Sequence, residues 1–110
     1  MGTRKCLERY ARVAAAPSFF YEHKLLYNME NKKCHLLKIM PMFYEAVKSG
    51  EKTFEVRYND RDYKKGDELC LMEWADGRYT GRGLVVEVSY ILDDERYCKE
   101  GYVVMGIRLV

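Results

Sequence analysis

The chain has 110 residues, 48% of them hydrophobic and 33% charged, which suits one small packed domain and leaves little room for a second core. Its 19 Lys and Arg against 17 Asp and Glu give a formal net charge of +2, which excludes the bulk positive field of a non-specific nucleic-acid binder. The longest apolar-leaning stretch, residues 11–20, is broken by Arg12 and Pro17 and falls far short of a bilayer span or a signal-peptide core, so a cytoplasmic chain without a membrane partner is expected.

Charge divides the sequence near Met29. Residues 1–28 hold Arg4, Lys5, Arg9, Arg12 and Lys24 against Glu8 and Glu22, a net of +3, so residues 29–110 carry −1. The expected organisation is therefore an N-terminal extension, 1–28, loosely ordered, and a domain, 29–110, with Met29 as the natural start. Within the extension Leu7, Tyr10, Ala11 and Ala14 recur at helical spacing, which predicts a short amphipathic helix ending before Pro17. Cys6, Cys34, Cys70 and Cys98 are widely separated with no C-x-x-C pair, and His23 and His35 have no metal-ligand spacing. Reduced thiols, no metal and no cofactor are the expectation.

Residues 35–39 read as a short strand that stops at Met40, because proline's ring holds its predecessor extended. Pro41 suits the first helical position, Met42, Phe43, Ala46 and Val47 make one apolar face, Lys48 complements the dipole and Gly50 closes the helix. Glu45 is expected to pair with Lys48. Residues 53–58 then alternate, with Phe54, Val56 and Tyr58 opposed to Thr53, Glu55 and Arg57, the period of a half-buried strand. Asn59 to Asp62 read as a turn, and so does Lys65-Gly66-Asp67. A strand over 68–74, a hairpin turn at Asp76-Gly77 and a return over 79–81 follow, with Trp74 and Tyr79 as a packed cross-strand pair. Gly81-Arg82-Gly83 bends a strand. Leu84, Val86, Val88, Tyr90 and Leu92 are expected to line one face of the longest strand, and 102–109 gives the last. One early helix and five or six short strands describe an α+β domain built as a small, mostly antiparallel β-barrel.

The densest functional chemistry centres on Gly50, Lys52, Glu55 and Arg57. Gly50 reverses the chain from helix to strand, and Glu55 and Arg57, two apart on a strand, share a face with Lys52 at the rim. Lys52 and Arg57 are placed to hold a phosphate while Glu55 accepts from a base edge; alternatively Lys52 and Glu55 form a proton-transfer pair, or the trio is only an exposed ion-pair ladder. Lys38, Tyr44 and Arg61 are candidates for the rim. His35 reads as structural rather than as an acid or base. The absence of G-x-S-x-G, P-loop and H-E-x-x-H patterns leaves serine hydrolases, nucleoside triphosphatases and zinc proteases without support.

Taken together, residues 35–57, then 59–67, the signature Gly50-x-Lys52-x-x-Glu55-x-Arg57 and the closing 100–106 resemble the ASCH superfamily of PUA-like barrels, closest to a short bacterial and phage-associated branch of uncharacterised function. The resemblance covers roughly 29–110. It implies a barrel with a cleft between the early helix and the strands, lined by the signature residues, and a role in binding RNA or modified nucleosides. It also implies an enzymatic alternative. One bacterial group of the superfamily is similar to an amidohydrolase of acetylcytidine that uses the signature lysine, a threonine three residues on and a distal glutamate. Here Lys52 matches, but Glu55 occupies the threonine position and no later acid matches the distal partner. The favoured reading is a non-catalytic or weakly catalytic PUA-like module that binds RNA or a nucleotide using Lys52, Glu55, Arg57, Lys38, Tyr44 and Arg61. The alternatives are an amidohydrolase of an acylated nucleoside with Lys52 and Glu55 as catalytic candidates, and a protein-interaction module of phage or prophage origin.

Overall fold

The computed structural model describes residues 33–110, so the division at Met29 and the helix expected before Pro17 lie outside the described residues. In chain order these residues form β1 (Cys34–Ile39), α1 (Pro41–Lys48), β2 (Phe54–Tyr58), β3 (Glu68–Ala75), β4 (Arg78–Leu92) and β5 (Tyr102–Leu109). The strands make one sheet in the order β1-β3-β4-β5-β2, in which β1 and β3 are parallel and the other pairs antiparallel. The sheet curls into a half-barrel, which bears out the α+β, mostly antiparallel, barrel-like expectation.

Helix α1 forms where the sequence places it. Met40 stays extended before Pro41, and its carbonyl accepts from the Phe43 and Tyr44 amides at 3.0 and 2.8 Å in place of a side-chain cap. The buried residues of the helix differ from expectation. Tyr44 and Val47 enter the core, whereas Met42 and Phe43 are exposed. Glu45 pairs not with Lys48 but with Arg82 of β4, at 2.8 Å. Helix α1 joins β1 to β2, the two outermost strands, and packs against β3, with Tyr44 and Val47 in the core.

Two irregularities in β4 shape the sheet. The first follows the hairpin turn, where Asp76 and Gly77 both take positive φ, +53° and +77°, as a two-residue turn of the right hand for twisted strands requires. Trp74 and Tyr79 pair across it edge to face, 4.8 Å between centroids. Between Tyr79 and Gly83 the register against Trp74 and Met72 shifts, and Gly81 takes a φ of +96°. The expected separate return strand and longest strand are therefore one strand, bent at the glycine. The second irregularity lies between Val88 and Tyr90, opposite Ile107 and Gly106, where Ser89 is the extra residue of a bulge. It inverts the facing beyond it. Leu84, Val86 and Val88 face the core as expected, but Ile91 continues that row while Tyr90 is exposed.

The main core fills the inside of the curl with Leu37, Ile39, Leu69, Leu71, Val86, Val88, Val103, Met105 and Ile107 around Tyr44, Val47 and Tyr63. A smaller buried cluster, Cys34, Cys70, Met72 and Val85, lies on the opposite parity of β1, β3 and β4. Strand β3 is thus covered on both faces, and all of Glu68 to Glu73 is buried. Cys70 and Cys98 keep their thiols, but Cys34 is disulfide-bonded rather than reduced. At one end His35, buried as a structural histidine should be, bonds through Nε2 to Asp67 Oδ2 at 2.8 Å and meets the Tyr63 ring edge-on at 4.8 Å. Burial pushes the Tyr63 phenol above its ordinary range.

Candidate functional site

The alternation of β2 is observed, with its faces exchanged. Phe54, Val56 and Tyr58 are 46, 51 and 57% exposed, while Glu55 is 3% exposed and Arg57 half-buried. The reason lies in the position of β2. It is an edge strand whose inner face looks across the opening of the curl toward β1, and that gap needs groups that reach across it.

Arg57 does so. Its Nη2 donates to the Lys38 carbonyl of β1 at 2.9 Å while Nε donates to Glu55 Oε2, also at 2.9 Å. Lys52, delivered by the turn after α1, pairs with Glu55 Oε1 and donates to the Phe54 carbonyl at 2.6 Å. The turn itself is pinned by the Lys52 amide, which donates to Ala46 O of α1 at 2.9 Å. A buried carboxylate is therefore held by an ammonium and a guanidinium, one on each oxygen, which is the arrangement that makes burial of the charge affordable.

Above this trio lies an open cavity of about 430 Å³ lined by Lys38, Ile39, Met40, Phe43, Lys52, Phe54, Glu55, Val56 and Arg57. Its walls are mainly apolar. The Lys52 ammonium sits 5.0 Å from the Phe54 ring centroid and 5.5 Å from that of Phe43, so both rings face the cationic floor.

Of the residues singled out from sequence, Lys52, Glu55 and Arg57 meet here. Lys38 lines the cavity as well, its carbonyl engaged by Arg57, while its ammonium lies 3.7 Å over the Trp74 ring. Tyr44 and Arg61 are not brought to the lining. Tyr44 is in the core with the Arg82 guanidinium 4.4 Å from its ring centroid, and Arg61 donates to the Leu36 carbonyl of β1 at 2.7 Å. Asn59 serves its turn as expected, its Oδ1 accepting from the Tyr63 amide at 3.1 Å. The apolar lining of Met40, Phe43, Phe54 and Val56 was not read as part of a site, because its members look like core positions in any periodicity argument.

A second charged cluster was likewise not legible. Glu73, buried on β3, accepts from Arg82 through both oxygens, at 2.9 and 2.8 Å, and from Thr80 Oγ1 at 2.6 Å. These bonds from Arg82 and Thr80 lower its pKa to about 2. Arg82 also holds Glu45, so the cluster ties α1, which supplies Phe43 to the cavity wall, to the β3–β4 hairpin. Among the described residues no group of three or more His, Cys, Asp or Glu is placed to hold a metal ion, and no helix is long and apolar enough to cross a membrane.

Residues 34–107 match the family described as a domain of unknown function, DUF3850. The chain belongs to that family. A relative from Escherichia phage P2, described as an uncharacterized 12.9 kDa protein in the GpA 3'region, is 36% identical over 61 residues, which span 56% of each chain. The chain thus matches little more than half the length of that relative. Among solved structures, the hypothetical protein PH0355 superposes with a TM-score of 0.51 at 20% identity, over 70% of this chain and 99% of that one, a likeness of fold alone. The uncharacterised, phage-associated character expected from sequence is supported at the level of the family.

Proposed function

We propose that this DUF3850 domain is related to the ASCH superfamily of PUA-like barrels and that it binds RNA or a nucleotide in the cavity above Lys52, Glu55 and Arg57. The observation that carries the reading is the composition of the cavity. Two aromatic rings, Phe43 and Phe54, stand over a floor made of a guanidinium and an ammonium, in a space of the size that holds one small ring ligand. Flat heterocycles bind such sites by stacking on the rings and hydrogen bonding to the cations.

Hydrolysis of an acylated base is the weaker reading. Glu55 would have to act as a base on water, yet each of its oxygens already accepts from a cation, and it lies behind them. A phage origin is compatible with either reading and is part of the proposal.

Phe43→Ala tests the site while leaving the ion pairs of the floor in place. Phe43 is partly exposed and forms the wall, so the variant should weaken binding of short RNA or of nucleosides about tenfold, from stacking worth roughly 1–3 kcal/mol, while the melting temperature changes little. Fluorescence anisotropy and calorimetry read the two quantities, and unchanged affinity for every ligand that the wild type binds removes the cavity from the proposal.

A further inference from the structure

The sheet is buried on its outer side as well as its inner side, over part of its width. Cys34, Cys70, Met72 and Val85 point away from the main core and form the second cluster, with Leu36 and Tyr79 packed at its margin. Cys70 is 0% and Met72 1% exposed. Farther round the curl the same outer surface is open, and Phe54, Val56, Tyr58 and Tyr90 are all exposed. A sheet face is closed off from water in this way only under a covering layer.

Among the described residues nothing supplies that layer. Helix α1 packs on β3, and its buried residues, Tyr44 and Val47, belong to the main core. The loop after β2 sends Tyr63 to the same core, and the loop before β5 runs beside β2, where Asn59 N donates to Gly101 O at 2.8 Å. The burial is within one chain, so the cover comes from residues 1–32.

Two features say how that segment is attached. Its exit is fixed at the margin of the face, since Lys33 O accepts from Glu68 N at 3.1 Å. The other is a sulfur bond. The chain has four cysteines, Cys70 and Cys98 keep their thiols, and Cys34 is disulfide-bonded, which leaves Cys6 as its partner within the chain. A disulfide holds its two Cα atoms within about 7 Å, so Cys6 belongs beside the second cluster. At helical spacing Cys6, Leu7, Tyr10, Ala11, Val13 and Ala14 fall on one arc, and Arg4, Lys5, Glu8, Arg9 and Arg12 fall on the other.

We infer that residues 6–14 form the covering layer, an amphipathic segment laid on the outer face of β1, β3 and β4 with its apolar arc inward and anchored by a Cys6–Cys34 disulfide. A helix over these residues is about 14 Å long and 10 Å wide, enough to lie across three strands that span about 10 Å. The segment is then part of the fold rather than an extension in front of Met29, and its basic arc faces water on the side opposite the main core. None of this depends on what the cavity binds.

Cysteine chemistry on the full chain tests the inference. The protein is equilibrated with oxidised glutathione, which takes up the two electrons and two protons that the Cys6 and Cys34 thiols release and leaves as two molecules of reduced glutathione. Proteolysis without reductant, followed by mass spectrometry, should recover a Cys6–Cys34 peptide pair. Iodoacetamide in native buffer should label Cys98 and spare Cys70. Leu7→Asp combined with Tyr10→Asp charges the apolar arc and should speed labelling of Cys70 by about tenfold or more, with circular dichroism showing the sheet retained, whereas Arg9→Glu on the other arc should leave Cys70 protected. Cys34 recovered as a thiol or joined to any sulfur but that of Cys6, or Cys70 labelled equally slowly in the double variant, overturns the inference. The peptide mapping uses the wild type, so it decides even where the double variant does not fold.

Discussion

At the scale of single residues the domain is organised by two buried carboxylates, Glu55 and Glu73, each held by an arginine that also bonds elsewhere. Glu73 makes the more direct prediction. Its pKa is about 2 in the folded protein against a reference of 4.5, because Arg82 and Thr80 bond the charged form. The unfolded chain therefore binds more protons between these values, so Glu73 contributes its full stabilisation above about pH 4.5 and loses it as the pH falls toward 2. Glu73→Gln removes the charge and should lower stability near neutral pH by about 2 kcal/mol, the scale of a charge-assisted hydrogen bond. It should also flatten the decline between pH 4.5 and 2. Urea denaturation of both proteins across that range checks it, and parallel pH profiles would assign the acid sensitivity to another carboxylate.

At the scale of elements, the alternation of a strand is legible in sequence but the face it buries is not, because a period of two looks the same from either side. For β2 the apolar residues point outward and the charged ones inward, since the strand borders a cleft that Arg57 spans. For β4 the row Leu84, Val86, Val88 was read correctly and then lost at Ser89, where no glycine or proline marks the bulge. The helix at Pro41, the hairpin at Asp76-Gly77 and the strand bend at Gly81 carried local backbone signals, and all three appear. The trio at Lys52, Glu55 and Arg57 was legible because its members are neighbours in sequence, whereas Glu73 and Arg82 meet only through a register shift. The bulge makes an ordered prediction. Ile91→Ala should cost about 2 kcal/mol as a core truncation, while Tyr90→Ser, on the exposed face, should stay within about 0.5 kcal/mol. A continuous strand would require the reverse order, so chemical denaturation of the two variants decides between the registers.

At the scale of the whole molecule, the half-barrel has two open edges, β1 and β2, which no backbone ladder joins. They are tied by side chains, Arg57 to Lys38 O and Arg61 to Leu36 O, and by α1, which connects them in sequence and packs Tyr44 and Val47 into the core. Such donations cap the outward carbonyls of an edge strand, which is one way to protect it from pairing with another chain. They are also weaker than a closed ladder. Strands β3, β4 and β5 share the deepest core residues and each has a partner on both sides, whereas β2 is paired only with β5 and exposes its outer face. Local opening should therefore begin at β2, the strand that carries the cavity wall. Native-state hydrogen exchange is expected to release the amides of Glu55 and Arg57 before those of Leu69, Leu71 and Val86, and Arg61→Met should widen that difference by loosening the loop that follows β2. A ligand in the cavity contacts both edges and would slow the early exchange. If β2 instead exchanges together with β3 in the absence of ligand, the two edges open only with global unfolding, and the cavity is a rigid slot rather than a cleft able to adjust to its occupant.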